Sequence, residues 1–469
     1  MPQSDATGTS EERTEEAMTF RSHRIADLVT SEPASGRIVG RVIGRVELRP
    51  EAVHLVIDDG SAQLGVVESA RLDPSEAADL REATIGSIVS LSVERAEAGA
   101  SPVFEVTQGQ VVSQATTPLP PLEDWKRSRQ RWVSHELGLV LSPEMREKFV
   151  RRSQIVSSLR RQLEGRGFIE VETPVLSPQR VMAPVHDFVL APPRLGEAAT
   201  LRTTNTDVMR RLVFAGFERV YQIGKNFRDE PRTFKNYSEF TMLTFGLALA
   251  TYEDVMRLIE EIVSTAAFEI LQAYAVEFRG HQVELAPPWQ RLSMAEAVRR
   301  FTGVDLESPS FETDIRAFLA DHGTVLDDRA LREEVIDRII TDFVFPNLIQ
   351  PTFLTEFPFH FGGPAKEVPG RAGFKQRCEL FVSGVEIMNM STHQDDPAQL
   401  RRWFDDLLAE KEAKGWGPQI ADEAYFRCMD YGAVPCSSGG LGVDRLVMLL
   451  TESESVEDVV LFPWRDATS

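Results

Sequence analysis

Three segments of the chain carry charged residues in settings where charge can do chemistry. In the first, the apolar run Tyr221-Gln222-Ile223-Gly224 leads into Arg228-Asp229-Glu230, a polar loop over 231–238, and a second apolar run from Glu239 to Leu249. Two β-type runs about a polar loop read as a long hairpin. The period of two puts Arg228 and Glu230 on one face, and Phe240 on the return strand brings a ring near them. A guanidinium can hold phosphate oxygens and a ring can stack on a base, so the trio suits a nucleotide. A surface Arg–Glu pair beside a core phenylalanine is the alternative for any hairpin seen alone.

In the second segment, Arg377 to Met390, a turn at Ser383-Gly384 pairs Phe381 with Glu386 and sets Glu379, Phe381, Glu386 and Met388 on one face. Two carboxylates among Leu380, Phe381, Val382 and Ile387 need a proton or a cation to be tolerated. Mg²⁺ shared with phosphate oxygens answers that need, and so does pairing with Arg377 or Arg228. The third segment, Ser437 to Leu450, is a glycine-rich stretch that runs into an apolar helix with Arg445 in its first turn. Glycines permit close backbone approach and a helix start favours anions. The stretch lacks the Gly-Lys-Ser/Thr ending of a P-loop, and a tight strand–helix junction is its plainer reading.

These groups need a framework. The 469 residues, 42% of them hydrophobic, suffice for one large core and a smaller one. Residues 1–35 form an acidic tail with little to bury and are expected to be disordered. Residues 36–116 hold five short β-branched runs separated by turns, the pattern of a small β-barrel. Residues 117–136 form a linker opened by the proline-rich Thr117-Pro118-Leu119-Pro120-Pro121. In residues 137–469, a helical period over 143–165 gives way to a strand at 168–174. Further helices are predicted at 252–274, 330–342 and 398–414. Strands and helices do not alternate strictly, so the large domain is α+β with a mainly antiparallel sheet flanked by helices.

A net charge of −21 confines any nucleic-acid site to a local patch. Three cysteines without a CxxC pair and eight histidines without ligand spacing suggest neither disulfides nor zinc. The polar, acidic start lacks a leader pattern, and no apolar run nears the roughly 18 residues of a membrane span, so a cytoplasmic, non-membrane protein is expected.

In order and separation, the segments resemble the three motifs of class II aminoacyl-tRNA synthetases. RSQIVSSLRRQLEGRGFIEVETPVL is similar to motif 1, GFERVYQIGKNFRDE with SEFT to motif 2, and GGLGVDRLVMLLTESESVEDVVLFP to motif 3. The likeness is strongest to the lysyl branch of subclass IIb, in PTFLTEFP, ELFVSGVEIMN and DEAYFRCMDYGAVP. It implies an N-terminal OB-fold, a homodimer built partly through the motif 1 helix and Pro174, and ATP and Mg²⁺ as cofactors. By position, Arg228 would hold the ATP α-phosphate and the substrate carboxylate, Phe240 would stack on adenine, and Arg445 would reach the γ-phosphate. Glu230 with Arg232 or Lys235 would contact the adenine or the terminal phosphates, while Glu379 and Glu386 would carry Mg²⁺.

The resemblance breaks at the amino-acid pocket. Where lysyl enzymes bind the α-amino group with Glu, this chain has Thr206. Their Glu and Tyr after motif 2 become Thr244 and Gly246. In the later strand Asn389 is kept, but two glycines become Met388 and Met390, a Phe becomes Ser391, and the Glu that pairs with the lysine ammonium becomes His393. An ammonium left without its carboxylate in a dry pocket costs several kcal/mol, so lysine is not the expected substrate. The two methionines either pack in the core or reline the pocket, the second being favoured. In the barrel region Phe104 is the sole aromatic residue and acidic residues outnumber arginines, although Arg37, Arg41 and Arg45 could form a stripe. Anticodon reading by base stacking is therefore not expected.

Three functions follow. The chain is a tRNA ligase of altered specificity, with acceptor-stem contacts among Lys126 to Arg131, Arg151, Arg152, Arg160 and Arg161; or a ligase that activates an amino acid or related carboxylate and passes it to a small-molecule or protein amine; or a non-catalytic regulatory subunit. Retention of Arg228, Glu230, Glu379, Glu386 and Arg445 together argues against the last.

Overall fold

The structure, a computed structural model, describes residues 21–30, 35–49, 52–96, 103–127, 135–177, 186–191, 199–324, 326–327, 332–358, 363–413 and 423–464. Part of the tail, at 1–20 and 31–34, and part of the expected acceptor-stem patch, at 128–131, lie outside these residues. The chain divides into two compact units, Met1–Glu147 with Trp464–Ser469, and Lys148–Pro463.

In the first unit, β1 (Ser35–Arg49), β2 (Ala52–Asp58), β3 (Gln63–Glu68), β4 (Ile88–Ala96) and β5 (Val103–Ser113) close a barrel in the order β1-β2-β3-β5-β4. Alternate residues point inward, as in the run of Val53, Leu55 and Ile57 on β2, and fill the barrel core. The architecture is consistent with an OB-fold. Within the stretch expected to be disordered, Ile25–Thr30 forms a helix, α1, because Ile25 and Leu28 at spacing three bury completely in the barrel core. The expectation of disorder fails at this short amphipathic pair. Phe104 also lies in that core. The three arginines form no stripe: an irregularity between Val42 and Gly44 breaks the register, and Arg37, Arg41 and Arg45 bond Ser90, the Gly86 carbonyl and Glu47. The proline-rich 117–121 is followed by a short helix, Leu122–Arg127, inside the expected linker.

The second unit is built on a nine-stranded, mainly antiparallel sheet. Eight strands lie in the order β9 (Gln290–Ser293), β10 (Thr352–Pro358), β11 (Arg371–Val382), β12 (Val385–Thr392), β13 (Cys436–Gly442), β8 (Glu239–Ala248), β7 (Arg219–Phe227), β6 (Ile169–Glu170), and Glu367–Val368 pairs with β11. Helices α2 (Pro143–Glu164), α4 (Tyr252–Leu271) and α8 (Val443–Leu450) bury Leu159, Ile259 and Val447 against Tyr221, Phe245, Leu380 and Leu441 on one face of the sheet. Apolar burial holds that face. A capping box, Thr251 with Asp254, starts α4 by satisfying orphan N–H groups. The helix predicted at 330–342, α5, runs Arg332–Ile339 and then loosens into a π turn, Ile340–Val344, ahead of Pro346. The other sheet face is lined with polar groups and glycines, partly roofed by α3 (Thr206–Phe214), α6 (Pro397–Ala413) and α7 (Glu423–Asp430).

Candidate active site

The polar face follows from strand register. β7 and β8 pair from Arg219–Leu247 to Phe227–Glu239 without a bulge, so Asn226 opposes Phe240 and Gln222 opposes Thr244. Their alternate residues, Tyr221, Leu243 and Phe245, face the helices. Arg228, just past β7, donates Nε to the Thr203 carbonyl at 3.3 Å, lies 5.2 Å above the Phe240 ring, and stands 3.9 Å from Glu230. The polar loop returns Lys235 and Asn236 toward α8. Arg445 reaches back to donate to the Asn236 Oδ1 at 2.9 Å, the Lys235 carbonyl at 3.3 Å and the Glu386 carbonyl at 2.6 Å. Its guanidinium is 3.5 Å from the Glu386 carboxylate.

A buried pair supports this arrangement from beneath. Arg152 on α2 forms an ion pair with Asp444 at 2.7 Å, and Asp444 accepts from the Thr241 amide at 2.7 Å, tying α2, α8 and β8 together. Gly439 lets β13 approach β12, since a Cβ there would lie 2.6 Å from the Asn389 carbonyl oxygen.

The hairpin β11–β12 corrects one expectation. Phe381 pairs with Glu386 as predicted, but Leu380 pairs with Met388 and Glu379 with Asn389, so Ile387 is an extra residue. The bulge reverses the alternation beyond it. Glu379, Glu386 and Asn389 therefore share the polar face, while Met388 and Met390 turn into the main core with Cys378 and Leu380. Both pack in the core and both also border the cavity, so the two expectations hold together.

Glu379 is almost fully buried. It accepts from Arg377 and, at 3.1 Å, from Asn389. Burial, opposed by Arg377 and reinforced by Glu386, pushes its carboxyl up to about 7. Burial also lowers Arg228 and Lys235 below their usual values, and in both cases repulsion from Arg445 adds to the effect. Cations that repel one another around a cavity make a site for a polyanion.

The cavity has a volume of about 400 Å³ and is bordered by Arg228, Glu230, Lys235, Phe240, Glu386 and Arg445 at one end, and by Thr206, Arg210, Asn389, Ser391, His393 and Ser438 at the other. Two predicted pocket residues lie elsewhere. Thr244 is wholly buried beneath the floor, and Gly246 is covered by Met209 and Val213 of α3, which a Cβ would meet at 3.2–3.3 Å. Arg232 stands 5.6 Å above the Tyr237 ring, outside the cavity lining. Residues not singled out from the sequence also matter: Asn236 and Asp444 hold Arg445 and Arg152, Arg210 and Trp403 border the far end, and Arg279 lies 4.0 Å over the Phe234 ring of the motif 2 loop. The helical period of α3 could have flagged Arg210; nothing local to Arg279 announces its contact.

Two carboxylates on one face, one of them nearly buried and with a raised pKa, fit a hard cation that is otherwise coordinated by water and phosphate oxygens, as Mg²⁺ is. Among the described residues no cluster of three or more His, Cys, Asp or Glu side chains could hold a metal without such help. No described helix is long and apolar enough to cross a membrane.

An antiparallel sheet with three cations, a ring and two carboxylates gathered on one face defines the catalytic domain of a class II synthetase. The family model described as tRNA synthetases class II (D, K and N) matches residues 127–466, and the chain belongs to that family of aminoacyl-tRNA ligases. Similar proteins include lysine–tRNA ligases of Chloroflexus aurantiacus (30% identical over 460 residues, 95% of this chain and 92% of the relative) and Moorella thermoacetica (35% over 388 residues, 81% and 78%). That of Pelotomaculum thermopropionicum is 34% identical over 438 residues, 91% of this chain and 85% of the relative.

Proposed function

We propose that this ligase uses ATP to activate a carboxylic acid other than lysine as an acyl-adenylate, in the cavity bordered by Arg228, Phe240 and Arg445. The observation that carries the reading is the placement of Arg228 5.2 Å over the Phe240 ring at one end of a cavity whose other end carries Thr206 and His393. Phe240 offers a stacking face for adenine, Arg228 neutralises the α-phosphate and the attacking carboxylate, and Lys235 and Arg445 take the β- and γ-phosphates. Glu379 and Glu386 would hold Mg²⁺, which when bound supplies charge neutralisation at the phosphates. No side chain acts as nucleophile. The substrate carboxylate oxygen attacks the α-phosphorus, the α–β bridging oxygen leaves with pyrophosphate, and acceleration comes from positioning and electrostatics.

Lysine is excluded on charge. His393 is buried and held neutral by burial, with Arg210 adding to the effect, so a lysine ammonium would meet no carboxylate there. The active form is a homodimer, for which Val150, Ile169, Val175 and Leu176 leave apolar surface exposed along α2 and the segment after it. The acceptor is tRNA, as in the relatives' names. The burial of Phe104 and the local bonding of Arg37, Arg41 and Arg45 favour a second reading, in which a small-molecule or protein amine accepts the acyl group. Adenylate formation from α-labelled ATP with a panel of carboxylic acids, followed by transfer assays with total tRNA, tests both. Labelled adenylate with a non-lysine acid is expected; absence of adenylate with every acid, together with no ATP binding, would overturn the reading.

A further inference from the structure

We infer that the far end of the substrate cavity is built to receive a hydrogen-bond acceptor, so that the activated acid carries a second oxygen group, a carboxylate or carboxamide, at its distal end. This rests on the activation reading above and specifies its substrate class.

Arg210 on α3 is 4% exposed and borders the cavity. Its Nη2 donates to the Gln394 carbonyl at 2.9 Å, its guanidinium lies 5.1 Å over the Tyr425 ring, and its side chain adjoins the Cys436 thiol. None of these partners is an anion. Its Nε is buried with no hydrogen-bond partner, and among the described residues no carboxylate forms an ion pair with it. Nearby, Lys366 and Asp395 neutralise each other at 2.5 Å. A buried cation with an unused donor is costly unless something arrives to accept from it.

The neighbouring group has the same need. His393 bonds Ser438 through Nε2, while its Nδ1 is buried without a partner. Since Ser438 Oγ can donate or accept, His393 can present either N–H or a lone pair at Nδ1. Neutral His393 thus adapts to a carboxylate or to a carboxamide, and Arg210 supplies the fixed positive end. An ammonium meets repulsion from Arg210, and an aliphatic end leaves both nitrogens unsatisfied. Pockets built to hydrogen-bond a substrate group reject analogues lacking it far more strongly than apolar pockets reject a missing methylene.

The test measures binding apart from turnover. Sulfamoyl-adenosine conjugates of aspartate, asparagine, glutamate, glutamine, leucine and lysine are titrated calorimetrically into the full chain, beside pyrophosphate exchange with the free amino acids, succinate and glutarate. At least one acidic or amide conjugate should bind roughly 100-fold or more tightly than the lysyl and leucyl ones. Arg210→Met should remove that preference while leaving affinity for a non-hydrolysable ATP analogue unchanged. Should that variant misfold, His393→Glu carries the test and should shift the preference toward the lysyl conjugate. Tightest binding of the leucyl or lysyl conjugate, or an unchanged preference in both folded variants, overturns this inference. If exchange then proceeds with leucine, activation itself stands; if no conjugate and no ATP analogue binds, activation falls as well.

Discussion

Replacing Glu379 by Gln isolates the carboxylate whose burial is most costly. Its pKa of about 7, against 4.5 for an exposed glutamate, leaves it about half protonated at pH 7, about nine-tenths at pH 6 and about one-tenth at pH 8. Mg²⁺ and ATP bound beside it favour the charged form, so binding at pH 7 expels about half a proton from this group. Calorimetry of Mg·ATP binding in buffers of different ionisation enthalpy counts that proton. The wild type should release about half a proton more than Glu379→Gln at pH 7, and the difference should vanish by about pH 8.5. The linkage to stability has the opposite sign to that of a salt-bridged carboxylate. Because the folded pKa lies above the unfolded one, the penalty is present above pH 7 and is relieved as pH falls from 7 toward 4.5. That penalty has an upper value of about 3 kcal/mol. Equal proton release by the two proteins, or a ligand-free wild type whose stability relative to Glu379→Gln does not fall between pH 5 and 8, would refute the assignment of a strained carboxylate to this position.

Arg228→Ala should lower adenylate formation by roughly 100- to 1,000-fold, the usual effect of removing one preorganised charge at the reacting group. Sedimentation should show its assembly state unchanged, and an active Arg228→Ala enzyme would sink the site assignment. Arg279→Ala removes the guanidinium stacked on Phe234 and frees the loop that carries Lys235. Loss of a contact worth about 1 kcal/mol should raise KM for ATP about 5-fold with kcat nearly unchanged, which steady-state kinetics will reveal. Arg152→Met strands the Asp444 carboxylate beneath the site, and urea unfolding of the variant should show a loss of about 3 kcal/mol; no measurable loss would mean the pair is not a support.

Much of the polar end of the cavity was legible because a strand's period of two is strict and β7–β8 runs without a bulge. Arg228, Glu230 and Phe240 follow directly from it. The pairing of Phe381 with Glu386 was equally readable from the turn at Ser383-Gly384, but the extra residue Ile387 was not, since a bulge leaves no composition signal in an apolar run. That single residue turns the Met388 side chain into the core at the cavity's edge. Thr244 and Gly246 misled for a related reason: matching positions by likeness says nothing of depth, and α3 packs over one while the sheet buries the other. Arg210 and Arg279 act across long sequence separations, on Tyr425 and Phe234, and such contacts exist only once the helices and loops are in place. The helix at Ile25–Thr30 was hidden by its polar flanks, although Ile25 and Leu28 alone suffice to seat it.

If a class II activating site is retained here while its lysine pocket has been lost, ATP–pyrophosphate exchange driven by lysine is the decisive measurement. With ATP and Mg²⁺ at saturation, lysine should support no exchange above the level without amino acid, while another carboxylic acid from the panel supports exchange that Arg228→Ala abolishes. Efficient exchange with lysine, at a KM typical of a working enzyme, would show that the lysine pocket is intact.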